Sequence, residues 1–151
     1  MSAMSELAEK SATPAEIRKN ILDLEARMRD MEQLPIQLRH YFAEGLYIRE
    51  ITIPAGATAV GYIHKYEHVR FILKGDVTIT TEHGSKRVKA PDTAITTPGT
   101  KAAVYAHEET VWTTVHATQE TDIPTLEATL VTANYDDPAL QADSRDKLEG
   151  E

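Results

Sequence analysis

GATAVGYIHKYEHVRFILKG, residues Gly56 to Gly75, decides how this chain is read. β-Branched and aromatic residues flank its histidines, and glycines punctuate it at 56, 61 and 75, a texture of short strands rather than helix. His64 and His68 stand four apart. A helical zinc-protease pair would need Glu directly after the first histidine, where Lys65 stands here. On strands, period two puts Tyr62, His64, His68, Arg70 and Ile72 on one face and Val69, Phe71 and Leu73 on the other. The second face is the more apolar, so two arrangements stay open. Either the histidines line a polar cavity inside a barrel while Val69, Phe71 and Leu73 pack under a helix or a second subunit, or the histidines face solvent. A bulge near Tyr66 would reset the phase.

The same texture runs from Gly45 to Ala117. Strands are predicted at 46–53, 58–63, 69–73, 77–81, 86–89, 93–96, 101–105 and 110–117, separated by Gly, Pro and Asp turns. Many short strands at this spacing predict an antiparallel sandwich or barrel. Upstream, Thr13-Pro14-Ala15-Glu16 is a helix start with a capping box and a proline at the first helical position. That helix is expected over 13–33, ending before Leu34-Pro35. Its apolar positions Ile17, Ile21, Leu24, Met28 and Met31 follow a heptad-like seam, which suits packing on its own domain or a short coiled coil between subunits. Asp23 with Arg27 and Glu25 with Arg29 are spaced as i,i+4 ion pairs. The remaining segments are a disordered N-terminus over 1–12, the barrel over 34–120, a short helix within 121–135 capped by Asp122, and an acidic tail over 136–151.

Composition narrows the function classes. The chain has 151 residues, a net charge of −8 and no cysteine. Nucleic-acid backbone is an unsuitable partner for so acidic a chain without a basic stripe. Disulfides, cysteine-type zinc sites and thiol nucleophiles are excluded. No apolar run reaches membrane-spanning length and the N-terminus has no signal-peptide pattern, so a cytoplasmic protein is expected. With only two phenylalanines and a modest aliphatic content the core is small, and a homo-oligomer, most simply a dimer, is expected to help bury it.

The histidines carry the chemistry. His64 and His68 are candidate metal ligands, and His116, which shares parity with Trp112 and Thr114, is a candidate third. Neutral imidazole binds Zn, Fe, Ni or Mn, and two or three on adjoining strands leave a coordination position open. Tyr62, Arg70, Trp112 and His107 are candidate ligand-binding residues. Arg70 suits a carboxylate or phosphate, or a plain salt bridge. Trp112 suits a cavity wall or core packing. His107 is expected at a barrel mouth, and His40 and His83 in loops or on the surface.

These residues resemble the cupin family, whose first motif is Gly, five residues, His-x-His, three or four residues, Glu, six residues, Gly. Aligned on Gly75, His68 falls at the metal-binding Glu position, His64 at the second His and Tyr62 at the first. Pro98-Gly99-Thr100-Lys101 is similar to the turn of the second motif, with Ala102 or Ala103 where its His would stand and its Asn position near His107. The resemblance implies an all-β, cupin-like double-stranded β-helix (a jelly-roll barrel) with an N-terminal amphipathic α-helix and a short C-terminal helix. Residues 34–50, 64–68, 98–101 and 107–116 with Thr121-Asp122 further resemble small cupin-like proteins encoded by tailed bacteriophages. That resemblance implies a phage or prophage origin, with the protein in the host cytoplasm or on the virion. Three functions follow as alternatives. They are a divalent-metal or small-ligand site in the barrel, a non-enzymatic accessory of a phage particle contacting its structural proteins, and a small-ligand sponge or sensor without catalysis.

Overall fold

A computed structural model describes residues 12–141, so most of the predicted disordered N-terminus and the last ten residues of the acidic tail lie outside the described residues. The first element is helix α1, Pro14–Arg29. Thr13 caps it: its hydroxyl accepts from the Glu16 amide at 3.2 Å, and the Glu16 carboxylate accepts from the Thr13 amide. The helix ends four residues earlier than the sequence predicts. The seam leaves its support there, since Met31 is exposed, and the Gln33 side-chain amide donates to the Met28 and Met31 carbonyls instead. Asp23 pairs with Lys19 rather than Arg27.

Eleven strands follow among the described residues. β1 (Gln37–Ala43), β2 (Leu46–Ile53), β5 (His68–Lys74), β8 (Asp92–Thr96) and β10 (Thr110–Ala117) form one antiparallel sheet in the order β1-β2-β10-β5-β8. β3 (Thr58–Val60), β6 (Asp76–Thr81), β7 (Gly84–Lys89) and β9 (Ala103–Ala106) form a second, in the order β3-β9-β6-β7. β4 (Ile63–His64) pairs with β11 (Val131–Thr132), which follows helix α2 (Ile123–Leu130). A 3₁₀ turn over Pro138–Gln141 closes the described chain. The predicted strand over 58–63 is thus two. Pairing of β3 stops where the Gly61 amide reaches the Ala102 carbonyl, and the chain then crosses to β11.

The two sheets face each other. Ile53, Ala57, Ile72, Val77, Ile79, Val104 and Ala106 pack as one core between them. Each fully buried aliphatic here contributes about 2 kcal/mol of hydrophobic stabilisation. The outer face of the second sheet is covered by α1. Ile17, Ile21 and Leu24 bury against Ala103, with Val60 and Tyr105 beside them. The buried Lys101 ammonium holds Glu25 of the helix at 2.8 Å. The seam is therefore used inside the chain, on the second sheet. Val69, Phe71 and Leu73 do not lie under the helix as the sequence suggested, and Leu73 is exposed. A third cluster of Tyr47, Leu126 and Leu130 seats α2 against the first sheet. No helix among the described residues is long and apolar enough to cross a membrane.

Candidate metal centre

Strand alternation and register build the site. On β5, His68, Arg70 and Ile72 are buried while Val69 and Phe71 are only half-buried, so the polar face points inward. β10 lies between β2 and β5, and its inward residues meet theirs in rows. His116 stands opposite Tyr47, and in the next row Thr114 stands between Arg49 and Arg70. Trp112 stands between Ile51 and Ile72 in the row after. Across the other edge of β5, His68 faces Thr96 and Arg70 faces Ala94. The wall therefore runs from a histidine layer through an arginine layer to an apolar layer that joins the core.

His64 enters this wall from β4. It is positioned by backbone bonds on both sides: the Gly99 amide donates to its carbonyl at 2.9 Å, and the Lys65 amide donates to Leu130 at 2.8 Å. Its ring lies 4.2 Å from that of His68, centroid to centroid, and 5.8 Å from that of His116, with His68 and His116 4.7 Å apart. One ligand atom from each of the three falls within 4.8 Å of the other two. His68 Nδ1 lies 3.2 Å from the Tyr66 carbonyl, which only accepts, so that nitrogen carries the proton and Nε2 of the neutral ring is left with its lone pair. His116 Nε2 lies 2.9 Å from the Thr114 hydroxyl. The buried His64 Nδ1 has no hydrogen-bond partner among the described residues.

Burial disfavours the charged form of all three rings. It pushes His64 down to about 3, helped by the nearby His68, His116 and Arg49. His116 falls to about 4, by burial first and then by His68 and Arg49. Burial and Arg70 also lower His68, against the opposing pull of its bond to Tyr66. At neutral pH the cluster is three uncharged imidazoles, the state that ligates metals. The orphaned His64 nitrogen, the ligand atoms within 4.8 Å of one another and the all-imidazole donor set fit a transition-metal ion rather than Mg²⁺ or Ca²⁺, which prefer oxygen.

The three histidines line a cavity of about 540 Å³. Arg49, Arg70, Trp112 and Thr114 line it beside them, Ile51, Ile53, Ile79 and Val104 form its apolar wall, and Tyr62, His83 and Ile95 are exposed at its margin. The structure thus brings His64, His68, His116, Arg70 and Trp112 together. Tyr62 is placed at the edge, not among the histidines, because the chain is off the strand at that point. His107 lies outside this cavity: it shares a 2.7 Å hydrogen bond with Thr78, and its amide donates to Asp76, beside the Asp76–Arg87 ion pair. His40 is not a loop residue. It is half-buried on β1, with Nδ1 2.6 Å from the hydroxyl of Tyr47, whose ring stacks on His116. Arg49 was not singled out from the sequence. Its signal was available, since Tyr47, Arg49, Ile51 and Ile53 alternate on one face of β2.

No family model matches the sequence, and no curated protein matches it. Solved structures do. KdgF from Halomonas sp. is 14% identical with a TM-score of 0.50, over 62% of this chain and 90% of that one. A cupin superfamily protein from Desulfitobacterium hafniense is 10% identical with a TM-score of 0.49, over 58% and 81%. An RmlC-like cupin from Methanocaldococcus jannaschii, described as a double-stranded β-helix, is 17% identical with a TM-score of 0.47, over 58% and 84%. At these identities the likeness is one of fold: two facing antiparallel sheets make this chain an all-β, cupin-like barrel with a helix at either end.

Proposed function

We propose that the barrel holds one divalent transition metal on His64, His68 and His116 and handles a small molecule in the cavity beside it. The observation that carries this reading is the convergence of three neutral imidazoles within 4.8 Å, two buried and one half-buried, the last with an unpartnered nitrogen among the described residues. A metal on such a set supplies Lewis acidity or activates water or oxygen. The chain's own groups do the positioning. The Tyr66 carbonyl fixes the His68 tautomer, the Thr114 hydroxyl steadies His116, and the apolar wall limits water around the site. Elemental analysis of protein purified without a histidine tag tests the reading. About one transition-metal ion per chain is expected, lost in a folded His64→Ala/His68→Ala double variant. Wild-type protein that stays metal-free after incubation with Zn, Fe, Ni and Mn salts overturns it.

A sponge or sensor without catalysis uses the same cavity and is favoured by its size, which suits a small ligand. A role in a phage particle rests on the sequence resemblance alone. The homodimer has a specific observation behind it. β1 is a sheet edge, and Leu38 and Phe42, on the same face as Ile51 and Tyr47 but beyond the buried rows, are 44% and 43% exposed. A second copy covering that strip would hide both the edge and its apolar side chains. Light scattering is then expected to give about twice the 16.8 kDa chain mass, and Phe42→Glu to return it to one; a wild-type monomer at micromolar concentration contradicts the dimer.

A further inference from the structure

The arginine layer beside the histidines is left unused by the metal centre. Arg70 is nearly buried, with its side chain 6% exposed. Its Nη1 holds Asp92 at 2.8 Å, and its guanidinium carbon sits 5.0 Å from the centre of the Trp112 ring. These two contacts fix the plane of the group, while Asp92 is the only acceptor it meets among the described residues. Arg49, one strand away on the other side of Thr114, lines the same cavity. It forms no hydrogen bond or ion pair among the described residues. A half-buried arginine that lines a cavity without a protein acceptor is free to take an oxyanion there.

The charge around the cavity points the same way. Its lining carries Arg49, Arg70 and Lys86 against one carboxylate, Glu127, while the chain as a whole has a net charge of −8. A cationic pocket in an acidic protein concentrates small anions and excludes polyanions. Directly beyond the arginines the wall turns apolar, with Ile51, Ile53 and Trp112. We propose that Arg49 and Arg70 form a carboxylate subsite, and that the ligand of this barrel is a small aliphatic carboxylic acid whose tail lies on the Ile51–Trp112 wall. A planar carboxylate matches the guanidinium fork in two parallel hydrogen bonds. The apolar wall next to it suits a hydrocarbon tail, where a bare phosphate would leave it bare. The assignment rests on the metal-centre reading only in placing both sites in one cavity, because neither arginine needs the ion.

Trp112 is the single tryptophan, so its emission reports this subsite alone. Full-length protein, both EDTA-treated and metal-loaded, is titrated with 4-methylpentanoate, its neutral amide and inorganic phosphate. A saturable change in Trp112 emission is expected with the acid and none with the amide. Arg49→Gln is expected to weaken binding by tenfold or more at an unchanged melting temperature, and Arg49→Lys to recover it only in part. Equal responses to acid and amide, tighter binding of phosphate, or undiminished binding by Arg49→Gln each overturn the proposal. Acid binding by protein that takes up no metal sinks the metal reading and leaves the subsite standing; metal uptake with no response to the acid does the reverse.

Discussion

Stripped of metal, the protein is expected to lose roughly 4 kcal/mol of stability between pH 6.5 and pH 5, before any carboxylate titrates. The cause is the histidine cluster. In the unfolded chain each imidazole takes up its proton near 6.5, whereas in the fold burial holds His64 to about 3 and His116 to about 4. Below 6.5 the unfolded state therefore binds more protons than the folded one, and stability falls as pH falls. Each of these two rings contributes about 1.6 kcal/mol over those 1.5 pH units, with His68 adding in the same direction. The slope levels off only as the folded rings themselves protonate. Asp76 acts later and separately. Its ion pair with Arg87 holds it below the usual 3.8, so the stability it supplies is present above that value and lost below it. Urea unfolding at pH 7, 6 and 5 measures the effect. His64→Gln should flatten the slope by about half, because it keeps a polar side chain but removes one titrating ring. A wild-type free energy unchanged between pH 7 and 5, or a slope unaltered in the variant, would mean that the rings are not buried as described. Loading with metal should also flatten it, since a ligated imidazole is held neutral.

Period two in the sequence sorted β5 into its two faces, and the fold shows which of them is the interior. His68, Arg70 and Ile72 alternate with Val69 and Phe71, and the buried set is the polar one. Parity alone did not say so. A strand with a polar and an apolar face ordinarily buries the apolar one, and only the cavity reverses that here. His116 was legible for the same reason, as a same-face neighbour of Thr114 and Trp112 on β10. His64 was placed on the right wall by a route that does not exist. The chain leaves the strand at Gly61, and His64 returns on β4, held by the Gly99–His64 and Lys65–Leu130 backbone bonds, which cross 35 and 65 positions in sequence and leave no local trace. Arg49 shares parity with Tyr47, Ile51 and Ile53, whose face of β2 is the inward one, so its place was legible from period two. β1 was missed because its QLRHYFA run is exposed at six of seven positions, and an edge strand without a buried face has no period to read. The helix seam was legible as a seam, but its partner was not: Ala103 and Val60 receive it from inside the chain.

Gly75→Ala is expected to cost about 3 kcal/mol or more, the largest loss from any single methyl in this barrel. Gly75 joins β5 to β6 with φ at +110°, a backbone conformation that side chains rarely adopt. The space around it is closed as well. A β-carbon there would sit 2.7 Å from the Thr110 Cα and 2.8 Å from the Glu109 carbonyl oxygen, and closer still to the Thr110 hydroxyl. Two of those three atoms are backbone, one at the first residue of β10 and one at the residue before it, so relief requires moving β10 away from the β5–β6 turn. That motion reaches the site directly, because β5 carries His68 and Arg70, and β10 carries Trp112, Thr114 and His116. The variant should therefore lose metal uptake and the Trp112 response together, even in the fraction that remains folded. Gly56→Ala is the control. It also has positive φ, but its β-carbon meets nothing within 4 Å, so strain acts there without overlap. The expected cost is about 1 kcal/mol with metal binding intact. Thermal melts and metal titrations of the two variants side by side decide the matter, and equal losses at both positions would show that backbone strain alone, rather than the approach of β10, governs Gly75.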